Sequence, residues 1–459
     1  RSRLKIATDI VKGVKKVCGE DFPVSLRFSV KSFIKALRQG ILPGEVAKEK
    51  GKDLEEGLEA AKILVEAGYD MLNVDAGTYD SWYWNHPPMY FKKGMYREFG
   101  RAVKKVVDVP VILAGRLDDP DIAMDALNGC CDIVSYGRPL LADPYLPEKI
   151  RTGNFKDIRP CLSCHDGCMG RIATGSPLSC AVNPACGREE KYGLVTTDSP
   201  KKILVIGGGL AGMECARAAT IRGHKVTIVE KSSKLGGNII PGSVPDFKID
   251  DRELIKWYEY QLEKLSINVI MNTPVDKAYV ENFDADKIVV ATGSSPISIN
   301  FGGENNVYTA NDVLLDVSKA GNEIVIVGGG LVGCEAALWL TQMGKKVSVV
   351  EMQSEILGGP HGMPMMNYSM LVELLAFNNV DVYKNTKVEK VNKHSVVIKN
   401  AEGQSEICAD TVITAVGYRQ ENSLYNSLND GEKVLYNIGD SREVRNIMNA
   451  IWSGYELDR

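Results

Sequence analysis

The sequence lacks several features that would place it in a broad class of protein. It has no apolar run of about 18 residues, the length that a membrane-spanning helix needs. Its formal net charge is −4, so it has no positive excess for nucleic acid or a membrane surface. It has 11 cysteines, and an odd number without a secretory signal pattern argues against a disulfide framework. These absences predict a cytoplasmic protein with small-molecule partners.

The composition is that of a globular protein. The 459 residues are 44% hydrophobic and 25% charged, which predicts about two to four domains with real cores. The chain begins with Arg1 inside a predicted helix, Leu4–Val17. This start predicts a fragment of a longer protein. A homo-oligomer is compatible with the pattern.

Residues 1–155 alternate helices with short apolar strands. The predicted strands are Phe22–Ser29, Met71–Asp75, Val109–Ala114 and Asp132–Tyr136. The helices between them include Leu54–Ala67, Tyr96–Val107 and Pro120–Asn128. This alternation predicts an α/β fold with a parallel sheet, and four such units make half of an eight-stranded TIM barrel.

Two segments in the second half of the chain repeat each other. Each has a buried-strand run, three spaced glycines, a helix and a second strand, and the two lie about 120 residues apart. The glycines are Gly207, Gly209 and Gly212 in the first segment and Gly328, Gly330 and Gly333 in the second. Such glycines let the backbone approach a pyrophosphate at a helix N-terminus. Two Rossmann-like dinucleotide-binding units are therefore predicted, rather than glycine-rich turns of ordinary α/β units.

An acidic residue ends the second strand of each unit. Glu230 and Glu351 are placed to accept hydrogen bonds from a ribose diol. A carboxylate at position 351 also repels a 2′-phosphate, so the second unit is predicted to prefer NADH to NADPH.

The sequence after Glu230 resembles that of flavoproteins with two dinucleotide-binding domains. In that family an acid followed by Gly-Gly, here Gly236-Gly237, marks the FAD domain. Ala291-Thr292-Gly293 is similar to the family's second FAD motif, and Asn437-Ile438-Gly439-Asp440 is similar to its third. The resemblance implies FAD at the first unit and a nicotinamide dinucleotide at the second. The implied FAD contacts are Gly207, Gly209, Ala211, Gly212, Glu230, Gly237, Asn238, Val275, Ala291, Thr292, Gly293, Gly439 and Asp440.

Four cysteines form a group with the spacing C-x2-C-x3-C-x11-C, namely Cys161, Cys164, Cys168 and Cys180. Four thiolates on a compact loop bind either zinc or an iron–sulfur cluster. Structural zinc usually takes paired CxxC knuckles, so a [4Fe–4S] cluster is predicted, with zinc or unligated thiols as alternatives. Only Cys215 stands where disulfide reductases carry a redox pair, which argues against dithiol chemistry.

The chain as a whole resembles the old-yellow-enzyme-like iron–sulfur flavoenzymes, which include 2,4-dienoyl-CoA reductase, 2-enoate reductase and trimethylamine dehydrogenase. The matching stretches are residues 24–29, 115–116, 137–138, 141–144, 180–184 and the cysteine group. The resemblance implies FMN in the barrel, held by Arg27, Gly115, Arg116, Gly137 and Arg138. The family barrel has eight strands and this chain begins just before the fifth. The family's proton-donating tyrosine is therefore expected to lie outside it.

These patterns predict four structural parts. Residues 1–155 form the partial FMN barrel, and residues 156–198 form the cluster segment. Residues 199–296 and 412–459 form the FAD domain, into which residues 297–411 are inserted as the NAD domain.

One catalytic candidate lies within the chain. In dienoyl-CoA reductases a histidine on the loop after the sixth strand assists the reaction, and His86 lies a few residues beyond that position. The alternative is a histidine that only packs against its neighbours. An aromatic run on the same loop, Tyr79, Trp82, Tyr83 and Trp84, either lines a pocket for a flat substrate or packs beneath the loop.

The resemblance implies an NADH-dependent reductase of a C=C bond that is activated by a carboxylate, thioester or ketone. Electrons would pass from NADH to FAD, then singly through the cluster to FMN and on to the substrate, in an oxygen-poor cytoplasm. The rival hypotheses are an amine dehydrogenase of the trimethylamine dehydrogenase type, a diaphorase-like electron-transfer module, and a zinc-stapled nucleotide-binding protein.

Overall fold

The computed structural model describes residues 2–301, 306–428 and 433–457. The chain divides into two compact units. The first comprises Arg1–Leu140 and Leu146–Phe155, and the second comprises Leu141–Tyr145 and Lys156–Arg459. No helix among the described residues is long and apolar enough to cross a membrane.

The first unit is built on a four-stranded parallel sheet that follows chain order, β1-β4-β5-β6. Its strands are β1 (Ser25–Ser29), β2 (Ile34–Ala36), β3 (Gln39–Gly40), β4 (Met71–Asp75), β5 (Val111–Leu113) and β6 (Ile133–Val134). Its helices are α1 (Lys5–Cys18), α2 (Leu54–Glu66), α3 (Trp82–Asn85), α4 (Arg97–Lys104), α5 (Pro120–Leu127), α6 (Arg138–Ala142) and α7 (Leu146–Arg151). Strands in chain order with helices between them are the arrangement of consecutive β/α barrel units.

Three of the predicted strands are longer than those observed, whereas Met71–Asp75 matches β4. Strand β1 begins two residues after Pro23, and β5 begins directly after Pro110. Proline has no N–H to donate to a sheet, so both strands start later than their apolar runs suggest. Strand β6 keeps only Ile133–Val134 of the predicted Asp132–Tyr136.

The second unit contains two five-stranded parallel sheets of the same design, with the orders β21-β10-β7-β8-β9 and β12-β19-β13-β14-β15. Its strands are β7 (Lys202–Ile206), β8 (Lys225–Val229), β9 (Asn268–Ile270), β10 (Lys287–Val290), β11 (Ser294–Pro296), β12 (Asn306–Thr309), β13 (Glu323–Val327), β14 (Lys346–Val350), β15 (Asp381–Tyr383), β16 (Lys387–Val391), β17 (Ser395–Asn400), β18 (Gly403–Cys408), β19 (Thr411–Thr414), β20 (Tyr418–Gln420) and β21 (Val434–Asn437).

The helices of the second unit are α8 (Arg171–Ala173), α9 (Glu189–Tyr192), α10 (Leu210–Ile221), α11 (Ile239–Gly242), α12 (Ile249–Lys264), α13 (Lys277–Asn282), α14 (Ala310–Leu315), α15 (Leu331–Gln342), α16 (Met365–Phe377), α17 (Ser423–Leu428) and α18 (Ile447–Tyr455). A π-helix, Asp166–Gly170, precedes α8. Strands β7 and β13 are buried along nearly their whole length, as expected for central strands covered on both faces.

The boundary between the two sheets differs from the prediction at one end. Strand β19 pairs along its whole length with β12 and β13, so Thr411–Thr414 belongs entirely to the second sheet. The predicted boundary after residue 411 cuts this strand and falls at least three residues too early. The antiparallel pair β11 and β20 then connects the two sheets. The pairing of β19 shows where this strand belongs, whereas sequence patterns locate element boundaries only to within a few residues.

Candidate functional site

The first glycine loop joins β7 to α10. A Cβ at Gly212 would lie 2.0 Å from the Gly207 carbonyl oxygen, so only glycine lets the helix start this close to the strand. The Gly208 N–H donates to Glu230 Oε2 at 2.6 Å, and Glu230 Oε1 accepts from the Ser232 N–H at 2.8 Å. The carboxylate predicted to bind a ribose is therefore held against the loop.

The predicted FAD motifs converge on this loop. Gly209 forms an isolated parallel bridge with Gly236, and a Cβ at Gly237 would lie 3.4 Å from the Gly209 Cα. A Cβ at Gly207 would lie 2.3 Å from the Ala291 carbonyl oxygen, so the second motif borders the first. Segments that are about 80 residues apart in the chain thus meet at the carboxyl end of one sheet.

The third FAD motif closes the same region. A Cβ at Gly439 would lie 2.7 Å from the Ala211 Cβ. The Ser294 Oγ donates to Asp440 Oδ2 at 2.8 Å, and Asn238 Nδ2 donates to the Ser294 carbonyl oxygen at 2.8 Å. Ser294 was not among the predicted residues, although it directly follows the second motif.

Three further predicted FAD residues border this region or the core beneath it. The Thr292 hydroxyl donates to the Glu421 carbonyl oxygen, and Gly293 has a φ of 75°. Val275 instead packs against an apolar cluster that includes Leu204 and Val290. The Val275 side chain therefore packs against the core, and a contact with a cofactor would come from its backbone.

The second glycine loop repeats the first with different residues. A Cβ at Gly333 would lie 2.0 Å from the Gly328 carbonyl oxygen. The Gly329 N–H donates to Glu351 Oε2 at 2.6 Å, and the Gln353 N–H donates to Glu351 Oε1 at 2.7 Å. Apart from its chain neighbours, no heavy atom of the described residues lies within 4 Å of a Cβ built at Gly330, so this position of the loop has space where a pyrophosphate would fit.

The cysteine segment packs against the core of the first dinucleotide-binding domain. Cys161, Cys164 and Cys180 are half-buried beside that core. A Cβ at Gly167 would lie 2.5 Å from the Ala181 backbone nitrogen, so the π-helix can lie directly on the chain around Cys180. The Trp452 Nε1–H donates to the Cys180 carbonyl oxygen at 3.0 Å. These contacts hold the segment that carries the first three cysteines, residues 161–168, next to the more distant Cys180.

The chemistry of this segment suits a charged group bound to thiolates. None of the cysteines in the described residues forms a disulfide. Burial raises the pKa of the Cys180 thiol to about 12 and that of Cys164 well above its usual value. A thiolate in this place would need a metal's positive charge to stabilise it. Among residues 2–301, 306–428 and 433–457, no three His, Cys, Asp or Glu side chains lie close enough to bind one metal ion.

The barrel unit collects polar side chains at the carboxyl ends of its strands. Arg27 on β1 pairs with Asp75 at the end of β4, with 2.7 Å between Nε and Oδ2. Burial raises the pKa of Asp75, although Arg27 opposes the shift. Gly137 is exposed, and in the described part of the chain only its sequence neighbours come within 4 Å of a Cβ built there. Arg138 follows it as the first residue of α6.

The other predicted FMN contacts also have structural partners. Arg116 is buried with a φ of 55°, and its Nη1 donates to the carbonyl oxygens of Phe91 and, at 3.0 Å, Met89. A Cβ at Gly115 would lie 2.5 Å from the ring of Tyr96. This Gly-Arg pair therefore braces the loop after β4 as well as bordering the strand ends.

His86 lies beside the charged strand ends. Burial, with Arg138 and Arg27 adding to it, lowers the pKa of His86 to about 4. Its Nδ1 is buried, and no described residue forms a hydrogen bond with it. At neutral pH His86 is therefore uncharged, so it can take part in hydrogen bonding but does not carry a positive charge.

The aromatic run next to His86 divides into two pairs. Tyr83 and Trp84 are buried, and the Trp84 Nε1–H donates to the Ile41 carbonyl oxygen at 2.8 Å. Tyr79 is 86% exposed, and its ring meets that of Trp82 edge-on at 5.7 Å. Trp82 in turn meets His86 edge-on at 5.8 Å. One pair packs beneath the loop, and the other is available to a flat ligand.

Sequence reasoning missed one buried ion pair between the two dinucleotide-binding domains. Lys248, at the start of α12, lies 2.7 Å from Glu335 on α15, and both side chains are at most 11% exposed. Asp251 lies 4.0 Å from the same ammonium group. Charged residues on helices usually face solvent, so no local pattern indicates this pair.

Two family models match this chain. The family model described as NADH:flavin oxidoreductase / NADH oxidase family matches residues 1–157. The one described as pyridine nucleotide-disulphide oxidoreductase matches residues 172–282 and 276–440.

Several known proteins are similar to nearly the whole chain. A cinnamate reductase from Clostridium sporogenes is 51% identical over 99% of this chain and 69% of its own length. An NADH oxidase from Thermoanaerobacter brockii is 34% identical over 99% and 69%. A solved 2-naphthoyl-CoA reductase with bound 2-naphthoyl-CoA matches with a TM-score of 0.88 and 30% identity, over 99% of this chain and 67% of that one. These similarities confirm the predicted α/β fold with a TIM-barrel part and paired dinucleotide-binding domains.

Proposed function

This chain belongs to the NADH:flavin oxidoreductase / NADH oxidase family, and from that premise we propose that its substrates are aryl acrylates. It is an oxidoreductase that uses NADH and flavin to reduce activated C=C bonds. The observation that supports aryl acrylates as the substrates is the 51% identity, over 99% of this chain, with a cinnamate reductase. The implied product is the corresponding aryl propionate.

The barrel unit would hold FMN at the carboxyl ends of its strands. Arg27 and Arg138 both place positive charge near His86, and Arg138 directly follows the open surface at Gly137. This charge would suit a flavin phosphate and the electron-rich edge of the ring. Gly115 and Arg116 would complete that surface from the neighbouring strand. Neutral His86 lies next to these groups, where it would orient the substrate's activating carboxyl group through a hydrogen bond.

The pair of exposed Tyr79 and half-buried Trp82 would bind the substrate ring. Tyr79 and Trp82 lie on the loop that follows β4, and Trp82 contacts His86. Aromatic rings pack well edge-on or offset against one another. A substrate whose C=C bond is conjugated with an aryl ring would therefore gain a contact that an aliphatic enoate lacks.

The second unit would supply the electrons. When bound, NADH provides hydride, FAD accepts it, a [4Fe–4S] cluster carries single electrons, and FMN delivers hydride to the C=C bond. Glu230 and Glu351 would each hold a ribose while they keep their loops in place. Cys161, Cys164, Cys168 and Cys180 supply the four thiolates that such a cluster needs.

The intact second glycine loop favours a reductase over the rival amine dehydrogenase. Gly328 and Gly333 keep the close contact that a dinucleotide-binding turn requires, and Glu351 faces the loop. An enzyme that takes its electrons from an amine has no need of an NADH site.

The proposal is tested by anaerobic incubation of the purified full-length protein with NADH and trans-cinnamate, with product analysis by chromatography. We expect 3-phenylpropionate to form in step with NADH oxidation, and crotonate to react more slowly. Tyr79→Ala should raise the KM for cinnamate about fivefold, the value of one aromatic contact, and leave that for crotonate unchanged. Phe22→Ala, which removes an exposed ring ahead of β1, is the matched control.

Two results would contradict the proposal. Equal KM changes for cinnamate and crotonate in Tyr79→Ala would show that the aromatic pair does not recognise the aryl ring of the substrate. NADH-dependent reduction of ferricyanide without reduction of any C=C substrate would indicate an electron-transfer module instead.

A further inference from the structure

The backbone around Cys164 adopts an unusual conformation. Ser163 has a φ of 52° and His165 a φ of 65°, so both neighbours of this cysteine are left-handed. Residues other than glycine rarely adopt this conformation, because their Cβ approaches the following carbonyl oxygen. The π-helix that carries Cys168 begins at the next residue, Asp166. Something outside this segment must therefore stabilise it.

One side chain contacts both strained residues. Asn367 Nδ2 donates to the Ser163 carbonyl oxygen at 3.3 Å, and Asn367 Oδ1 lies 2.7 Å from His165 Nδ1. A carbonyl oxygen only accepts hydrogen bonds, so the amide nitrogen must face Ser163 and the amide oxygen must face His165. The histidine Nδ1–H is then the donor. All three residues are at most 4% exposed.

This amide comes from the NAD-binding domain, more than 200 residues along the chain. Asn367 lies in the first turn of α16, and Pro364 just before that helix packs against the end of the π-helix, where a Cβ at Gly170 would lie 3.3 Å from its Cγ. The buried pair of Lys248 and Glu335 joins the NAD-binding domain to the FAD-binding domain, so it is a separate contact. A buried asparagine such as Asn367 is costly unless its amide forms hydrogen bonds.

We infer that Asn367 is a positioning residue for the cysteine segment: it fixes the left-handed backbone on both sides of Cys164 and attaches that segment to the NAD-binding domain. The inference rests on the proposed cluster for its role in electron transfer, but the contact itself is independent of iron. Movement of the NAD-binding domain away from the cysteine segment would have to break both hydrogen bonds of the Asn367 side-chain amide.

The test compares the wild-type protein with Asn367→Ala in two states. In cluster-free protein, pulsed alkylation with N-ethylmaleimide followed by peptide mass spectrometry should show Cys164 reacting about tenfold faster, since two buried hydrogen bonds are lost. In protein reconstituted with iron and sulfide, the EPR signal of the reduced cluster should shift and broaden, and its midpoint potential should change. Asn378→Ala is the matched control, because that amide follows α16 directly and donates to the carbonyl oxygen of Leu374 in the same helix.

Rescue separates positioning from general destabilisation. Glycine adopts the left-handed conformation without strain. Adding Ser163→Gly and His165→Gly to Asn367→Ala should therefore return the alkylation rate of Cys164 and the EPR line shape towards those of the wild type. A loss of general stability would not be repaired in this way, because glycine adds no contact.

The outcomes are distinct. Unchanged alkylation of Cys164 in Asn367→Ala would overturn the inference, as would a faster rate that the two glycines do not reverse. A wild-type protein that takes up no iron would contradict the proposed cluster. The alkylation experiment would still test the role of Asn367, because it uses cluster-free protein.

Discussion

The two dinucleotide-binding domains share the arrangement of their inner sheet strands and the same glycine contacts, but they differ in what lies over the loop. In the first, Leu210 and Ala211 are each 7% exposed, Gly439 packs on Ala211, and a Cβ at Gly454 of α18 would lie 2.3 Å from the Ala211 carbonyl oxygen. In the second, Leu331 is 42% exposed and no comparable segment covers the loop in the part of the chain that the structure describes. A covered site suits a cofactor that stays bound, and an open site suits one that is exchanged at every turnover.

The largest expected effect comes from filling the two glycine contacts separately. In both Gly212→Ala and Gly333→Ala the new methyl would lie 2.0 Å from a backbone oxygen, so strand and helix must move apart. Gly212→Ala should lower the free energy of unfolding by about 3 kcal/mol, because overpacking is added beneath a covered site, and the purified protein should lose most of its FAD.

Gly333→Ala should keep its FAD and lose NADH-dependent bleaching of the flavin. The measurements are the FAD-to-protein ratio, urea unfolding and stopped-flow absorbance. Equal loss of FAD in both variants would contradict the difference between the two sites.

The repeated loops could be predicted from sequence because their parts are close in the chain. Gly208 and Glu230 are 22 residues apart, as are Gly329 and Glu351, and a strand, turn and helix fix such a spacing. The contact between His165 and Asn367 spans 202 residues, and no spacing rule relates its partners. It could be found only from the fold.

The aromatic run shows a second limit of sequence patterns. Tyr79, Trp82, Tyr83 and Trp84 lie within six positions and have similar hydrophobicity. Their burial depends on a 3-10 turn followed by one short helix, which points the last two rings inwards. The amino-acid composition does not determine which way these rings point. The sequence therefore allowed both interpretations, a pocket lining and packing beneath the loop, whereas the structure assigns one pair of rings to each.

The buried charges between the two dinucleotide-binding domains should make the stability of the protein depend on pH. Burial raises the pKa of Asp251 to about 7, although Lys248 lies nearby and opposes the shift. An unfolded aspartate titrates near pH 3.9, so the folded protein binds this proton more tightly. The contribution of Asp251 to the free energy of unfolding should therefore be largest below about pH 4, fall as the pH rises from 4 to 7, and change little above that.

Asp251→Asn should remove this slope and stabilise the protein by about 2 kcal/mol at pH 8. Urea unfolding at pH 5 and pH 8 measures both effects. Asp246→Asn, a change in the short 3-10 helix just before α12, is the control. The same slope in Asp251→Asn and the wild type would show that this carboxyl is not the titrating group.

The smallest expected effect separates the two acids that end the second strands. Glu351→Gln removes a negative charge from the open site and should bring the rates of flavin bleaching by NADH and NADPH about tenfold closer, mainly because the 2′-phosphate is no longer repelled. Glu230→Gln makes the same change at the covered site. It should weaken FAD retention and leave the ratio of the NADH and NADPH rates as it is in the wild type. If Glu230→Gln changed that ratio and Glu351→Gln did not, the first loop would be the nicotinamide site and the assignment of the two cofactors would have to be reversed.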